Sequence, residues 1–223
     1  MPRRAPGDEA PSFVRELREG WREFTSRTWL WSTVLVFGLG NLFFMFWAVL
    51  GPVVAEDELG GAAAWATILT AGGFGALAGG LIAFRYRPER PLVACIVMPL
   101  PFVLQFAALA LGAPVWVIAA ASFLANVGLA VHLTLWFTIF QREVPERDQS
   151  RVSPYDALGS FVLTPVGIGM TLAGPTAAAI GIDQALWLAA GAIVVCNLSM
   201  LLIPAVWAIR RLEVAPAPEP ELV

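Results

Sequence analysis

Six long apolar runs, separated by short polar segments, organise the chain. They cover roughly residues 29–55, 62–84, 91–111, 115–140, 157–180 and 184–209. Each has about 20 residues or more, enough for a helix rising 1.5 Å per residue to cross a hydrocarbon layer of ~30 Å. None carries Asp, Glu, Lys or Arg in its interior. Inside a bilayer every backbone N–H and C=O must find its partner within the segment, so such runs predict helices. The alternation of apolar and polar positions over about ten residues that marks a membrane barrel is absent. The pattern therefore predicts an all-α polytopic membrane protein with six transmembrane helices.

The two ends read differently. In residues 1–28, Phe13, Leu17, Trp21 and Phe24 recur at helical spacing while Arg15, Arg18 and Arg22 take another face. This predicts a cytoplasmic arm whose amphipathic helix lies in the inner membrane interface, a plain solvated helix being the alternative. No apolar h-region precedes it, so no cleavable signal peptide is expected. Residues 210–223, with their recurring Ala, Pro and Glu, read as a disordered cytoplasmic tail.

Composition agrees with the pattern. Of 223 residues, 58% are hydrophobic and 14% charged, with a mean hydropathy of +0.71. A soluble domain carries about 25% charged residues, and a globule with so few would expose large apolar patches and aggregate. The net charge of -3 says less than where the charges lie. All 14 basic residues are Arg, at positions 3, 4, 15, 18, 22 and 27 before the first span, 85, 87 and 90 after the second, 142, 147 and 151 after the fourth, and 210 and 211 after the sixth. The other three connections hold none, and carry Glu56, Asp57, Glu58 and Asp183 instead. The positive-inside rule then puts both termini in the cytoplasm of a multi-pass membrane protein. Since the arginines are topology determinants and form no basic face interleaved with aromatics, nucleic acid is not expected as a partner; the lipid bilayer is.

Candidate chemistry is sparse. Polar groups at membrane depth are the functional candidates: Asn41 in the first span, Gln105 in the third, Asn126, His132 and Thr134 in the fourth, Thr164 and Thr171 in the fifth, Asn197 and Ser199 in the sixth. Each Asn or Gln has an alternative role bonding a neighbouring helix, and Ser and Thr can bond their own backbone. Phe43, Phe44, Phe46 and Trp47 in the first span and Trp136, Phe137 and Phe140 in the fourth could line an aromatic pocket for a flat apolar solute, the alternative being rings that face lipid or neighbouring helices. Ser153-Pro154-Tyr155-Asp156 reads as the start of the fifth helix, with Ser153 as N-cap and Asp156 either favoured by the helix dipole or making a gate contact. Gly75 and Gly79 form a small-xxx-small pair that lets two helix backbones approach closely. Pro99, Pro101 and Pro165 favour bends within their spans.

Enzymes are not expected. His132 is the lone histidine, Ser160 is followed by Phe161 rather than a serine-protease glycine, and P-loop and His-Glu-x-x-His patterns are missing. The isolated Cys95 and Cys196 read as buried small apolar residues rather than a disulfide, and no metal or cofactor is expected.

Two stretches carry a family resemblance. One runs from Glu19-Gly20-Trp21-Arg22-Glu23 through Trp29-Leu30-Trp31 to Gly51-Pro52-Val53-Val54-Ala55, Leu59-Gly60-Gly61 and Ala64-Trp65. The other includes Gln141-Arg142-Glu143-Val144-Pro145, Ser150-Arg151-Val152-Ser153, Tyr155 to Ser160, Pro165-Val166-Gly167 and Ala173-Gly174-Pro175. Together they resemble the C-terminal half of a major facilitator superfamily transporter, in the bacterial branch of enterobactin-exporter-like efflux proteins. The segment from Gly79 to Arg90 resembles the superfamily's signature between the second and third helices of a half, except that Phe84 stands where an acidic residue usually precedes the first basic one.

The resemblance implies half of a major facilitator fold, its six helices arranged as two inverted three-helix repeats. It implies a half-transporter that moves small organic or amphipathic solutes outward by alternating access, driven by an ion gradient. The second six-helix half would come from another chain or a second copy. The first, second, fourth and fifth spans would face the cavity, and the third and sixth would be peripheral. That makes Asn41, Phe44, Trp47, Asn126, His132 and Trp136 the substrate-cavity candidates, lowers Gln105 and Asn197, and makes Arg85, Arg87, Arg90, Arg151 and Asp156 the cytoplasmic gate candidates. A proton-coupling group in this half would be His132; otherwise it lies in the other half. The competing readings are a six-span scaffold or regulatory subunit that moves nothing, and an inactive truncated transporter.

Overall fold

The computed structural model describes residues 13–162 and 166–210. Arg3, Arg4, Thr164, Pro165, Arg211 and the rest of the tail lie outside the described residues. So do the side chains of Phe13, Val14 and Glu16 and of 161–166. Among the described residues the elements are helical, without strands.

An arm helix α1 (Phe13–Ser26) precedes the first span, α2 (Thr28–Glu58). The second span is α3 (Ala62–Arg85), and the third is a pair, α4 (Pro91–Val97) and α5 (Phe102–Ala110). The fourth is α6 (Val115–Glu143), followed by α7 (Glu146–Ala157) and a π-helical turn (Leu158–Val162). Then come α8 (Val166–Ile180), α9 (Ile182–Met200) and α10 (Pro204–Ala208). Five of these segments are long and apolar enough to cross a membrane: Thr28–Glu58, Ala62–Arg85, Pro91–Ala110, Val115–Glu143 and Ile182–Met200. α8 is apolar but shorter.

Three spans depart from straight rods. The third breaks at Pro99-Leu100-Pro101, where two residues lack the N–H an α-helix needs. The sixth breaks before Pro204 for the same reason, and ends in α10 rather than running unbroken to residue 209. The fifth departs most. No helix starts at Ser153: α7 begins at Glu146, carries Pro154 within it, and runs into the π-helical turn. Ser153 is therefore no N-cap. The polar helix α7 passes directly into the π-helical turn, which lets the chain step around its own backbone rather than restart at Ser153.

The turns at the arginine-free end are tight. Gly60 and Gly61, at φ of 95° and 86°, reverse the chain between α2 and α3 in a region closed to most side chains.

The packing follows an exchange. α2 packs on α8 and α9, while α6 packs on α3, α4 and α5; α2 and α3, although consecutive, touch little. The first span of each half-repeat thus pairs with the second and third spans of the other, a pseudo-twofold arrangement closed by α5 against α9. Two apolar clusters stack along the bundle. One, towards the arginine-free end, gathers Trp47, Leu50, Ile68, Phe106, Ile118 and Leu186. The other, towards the arginine-rich end, gathers Leu30, Leu92, Val131, Ile139, Val152 and Met200.

Glycine sets the closest approach. A Cβ on Gly75 would strike the backbone of Phe123, and one on Gly79 that of Val127, both on α6. In lipid, where burial supplies no hydrophobic drive between helices, such backbone contact gives dispersion its full strength. Gly128 makes the mirror contact, its α-carbon face lying against the Met98 carbonyl where the third span breaks.

Candidate functional site

Between the first four spans, in the half nearer the arginine-free end, lies a cavity of about 340 Å³. Aromatic rings make its walls. Trp47 and Trp65 stand 5.2 Å apart, centroid to centroid, and Phe44 meets Phe102 edge-on at 5.1 Å. Three polar side chains line it: Gln105 from α5, and Ser122 and Asn126 one turn apart on α6. Gly72 of α3 makes room for the last two, since a Cβ there would come within 2.8 Å of the Asn126 amide nitrogen and 2.9 Å of the Ser122 hydroxyl. Ala48, Leu69 and Gly73, all exposed, form the mouth.

The polar groups are not equally satisfied. Asn126 Nδ2 donates to the Ser122 carbonyl at 2.8 Å. Gln105 is 1% exposed, yet neither its Oε1 nor its Nε2 has a hydrogen-bond partner. A buried carboxamide without partners costs about 1–3 kcal/mol, so its retention at the wall of a cavity demands an explanation.

Of the sequence-derived cavity candidates, Phe44, Trp47 and Asn126 meet here. Asn41 lies elsewhere, one turn before Phe44 and Met45 on α2, where its Nδ2 donates to the Ser160 carbonyl at 2.8 Å and ties the first span to the π-helical turn. His132 does not line the cavity. Its Nδ1–H donates to the Cys95 carbonyl at 2.7 Å, the Cys95 thiol donates back to the His132 carbonyl at 3.5 Å, and Phe37 meets its ring edge-on at 4.5 Å. The carbonyl can only accept, so Nδ1 carries the proton. The histidine is a strut between third and fourth spans. Trp136 sits towards the arginine-rich end of α6, against Trp29 and Phe37.

Trp65, Phe102 and Ser122 are missing from the expectation, and Gln105, a candidate by its depth, is lowered by the resemblance. Gln105 and Phe102 sit on the span expected to be peripheral. The signal for them was the Pro99-Leu100-Pro101 break, which seats that span against Gly128 of α6 and carries α5 into the cavity wall. The remaining polar candidates serve their own helices: Thr134 donates to Ala130 O, Thr171 to Gly167 O, and Asn197 to Ile193 O.

At the arginine-rich end, the gate candidates fall into separate contacts. Asp156 is the best connected. Trp136 Nε1 donates to its Oδ2 and Ser160 Oγ to its Oδ1, both at 3.3 Å. With the Asn41–Ser160 bond, this network joins the first, fourth and fifth spans. Burial raises the Asp156 carboxyl above the ordinary carboxylate range, and the two donated hydrogen bonds oppose that rise. Arg151 pairs with Glu19 at 3.1 Å, and the Tyr155 hydroxyl donates to the Leu17 carbonyl at 2.6 Å. These bonds, with Phe24 stacked on Tyr155, dock α1 on α7. Leu17 and Trp21 stay exposed on the arm's flank. Arg90 lies over the Trp207 ring, 4.9 Å from its centroid, and so joins the third span to α10. Arg85, the last residue of α3, and Arg87, two residues beyond it, are exposed, Arg85 in the wall of an open hollow lined by residues 81, 82, 84, 85 and 86.

Among the described residues, no group of three His, Cys, Asp or Glu is placed to hold a metal ion.

Apolar helices of bilayer length, exchanged between two three-helix sets, define an all-α polytopic membrane protein. The family model of the Major Facilitator Superfamily matches residues 1–162, well over half of the chain. The chain belongs to that superfamily, and is a membrane transporter of the major facilitator type. No curated protein and no solved structure matches it.

Proposed function

We propose that the chain is one six-helix half of a secondary active transporter that exports small organic or amphipathic solutes across a bacterial plasma membrane, with its termini cytoplasmic. The cavity is the observation that carries this reading: aromatic walls with a few polar groups are the usual build of a small-molecule site. The export direction draws on the likeness of residues 141–160 and 165–175 to enterobactin-exporter-like proteins, and sidedness on the arginine partition.

A second six-helix half completes the machine, because alternating access needs two bundles rocking about one site. The surface of α3 and α8 supports this. Gly73, Gly80, Gly167 and Gly174 face no atom within 4 Å of where a Cβ would stand. Small residues on exposed faces of membrane helices are suited to close approach by another helix. Solute binds from the mouth at Ala48, Leu69 and Gly73, and the Asp156–Ser160–Asn41 network works at the opposite, cytoplasmic end as part of the gate.

An ion gradient drives the cycle, its coupling group lying outside His132. The test is transport of a fluorescent amphipathic dye in vesicles with an imposed proton gradient. The chain with its partner half should transport, the chain alone should not, and His132→Ala should leave coupled transport unchanged. If sizing in detergent gave only a monomer and no partner restored transport, the membrane-scaffold reading would replace this one.

A further inference from the structure

The unpartnered Gln105 amide is the feature that the transporter reading leaves unused. It stands on the span expected to be peripheral, is 1% exposed, and lines the same cavity as Trp47, Trp65 and Asn126. Both ends of its carboxamide lack a partner: a carbonyl that accepts and an amide that donates, side by side in one plane. The group that satisfies both at once presents a donor and an acceptor on adjacent atoms, as a lactam or a primary amide does.

The walls constrain the rest of the molecule. No lining residue is ionisable, so a charged ligand would lose its hydration with no counter-charge to replace it. The rings of Trp47, Trp65, Phe44 and Phe102 offer aromatic faces and edges, which favour flat aromatic bodies in offset or edge-on contact. A volume of about 340 Å³ lies at the small end of ligand sites and suits a fused-ring system rather than a large macrocycle. From these we infer that Gln105 is a specificity-determining residue, and that the cavity binds neutral, planar aromatic molecules carrying an amide or lactam edge. Ser122 and Asn126 of α6 line the same cavity, available to a second polar substituent. The inference rests on the proposed transport function for its physiological setting, but the binding it asserts is independent of transport.

The probe is 2-quinolone, a neutral fused-ring lactam with its N–H beside its C=O. The full chain, purified in detergent, is titrated while tryptophan emission is followed, with Trp47 and Trp65 as reporters in the wall. Saturable quenching is expected. Binding of 1-methyl-2-quinolone, whose donor is gone, should be weaker by about tenfold or more, since one buried polar group is left unpaired. The anion 2-naphthoate should bind more weakly than the lactam. Gln105→Leu should erase the preference between quinolone and its N-methyl derivative, while its thermal midpoint stays at or above that of the parent chain, which excludes misfolding as the cause. Absence of saturable quenching, equal affinity for the N-methyl derivative, tighter binding of the naphthoate, or an unchanged preference in Gln105→Leu would each overturn the inference. Quinolone binding without transport in the vesicle assay overturns the transporter reading alone. Transport of other solutes without quinolone binding overturns this inference alone.

Discussion

Gly79 and Gly80 are neighbours with opposite duties. The first lies against the backbone of Val127, and the second faces open space. Gly79→Leu should therefore force α3 off α6 and lower stability by at least the ~1–3 kcal/mol typical of overpacking, read as a large drop in thermal midpoint in detergent. Gly80→Leu should leave that midpoint at or above its starting value, because leucine is the better helix former. Gln105 makes the converse case. Leucine in its place removes an unsatisfied buried amide, so Gln105→Leu should stabilise the isolated chain by about 1–3 kcal/mol, measurable by the same melt. A residue that weakens the fold where it stands, yet fits its cavity, is where a stability penalty and a recognition role coincide.

At the scale of the element, the two contacts that dock α1 on α7 differ in worth. Glu19 and Arg151 are about half exposed, with side chains 48% and 42% accessible, and an exposed pair contributes about 0–1 kcal/mol. Arg151→Ala should thus barely change hydrogen exchange in residues 17–24. Tyr155→Ala removes the hydroxyl bonded to Leu17 and the ring under Phe24, and should raise exchange there severalfold. Asp156 sets a pH dependence. Its folded-state pKa is raised, so its contribution to stability is full below the ordinary Asp value, ~3.9, and declines as pH rises through the folded value. At neutral pH the buried carboxylate opposes folding, and Asp156→Asn should raise the melting midpoint there while leaving it little changed at the acid end.

The helices themselves were legible because the bilayer writes a length into them. Twenty apolar residues without charge leave one backbone solution, and the run from 62 to 84 differs from α3 by one residue at its end. Gly75 and Gly79 likewise announced a close approach. What packs on what was not legible. α2, α3 and α6 are apolar on all sides, and since lipid tails and protein interior are equally apolar, no stripe of hydrophobicity records which face is buried. The same loss of signal hid Gln105. Its span was ranked by resemblance as peripheral, and only the proline break brings α5 to the cavity. His132 was attractive as the one group titrating near neutrality, but geometry spends its proton on a carbonyl.

For the molecule as a whole, sidedness is the testable quantity. An impermeant maleimide applied to intact cells should label Glu58→Cys and not Arg87→Cys, while both native thiols lie in apolar helices, Cys95 fully buried and Cys196 partly so. Pairing is the second quantity. Gly80→Leu, harmless to the lone bundle, should weaken association with the second half, seen as a shift towards single bundles in light-scattering mass.

The exchange of spans also has a consequence in time. As the chain leaves the ribosome, α2 enters the membrane long before α8 and α9, the helices it finally rests on, have been made. α3 and α4 find their main partner in α6, and α5 rests on α6 first and on α9 later. The second, third and fourth spans can settle on one another first, while the first, its half-buried Asn41 still lacking the Ser160 carbonyl, finds its partners only once synthesis reaches residue 200.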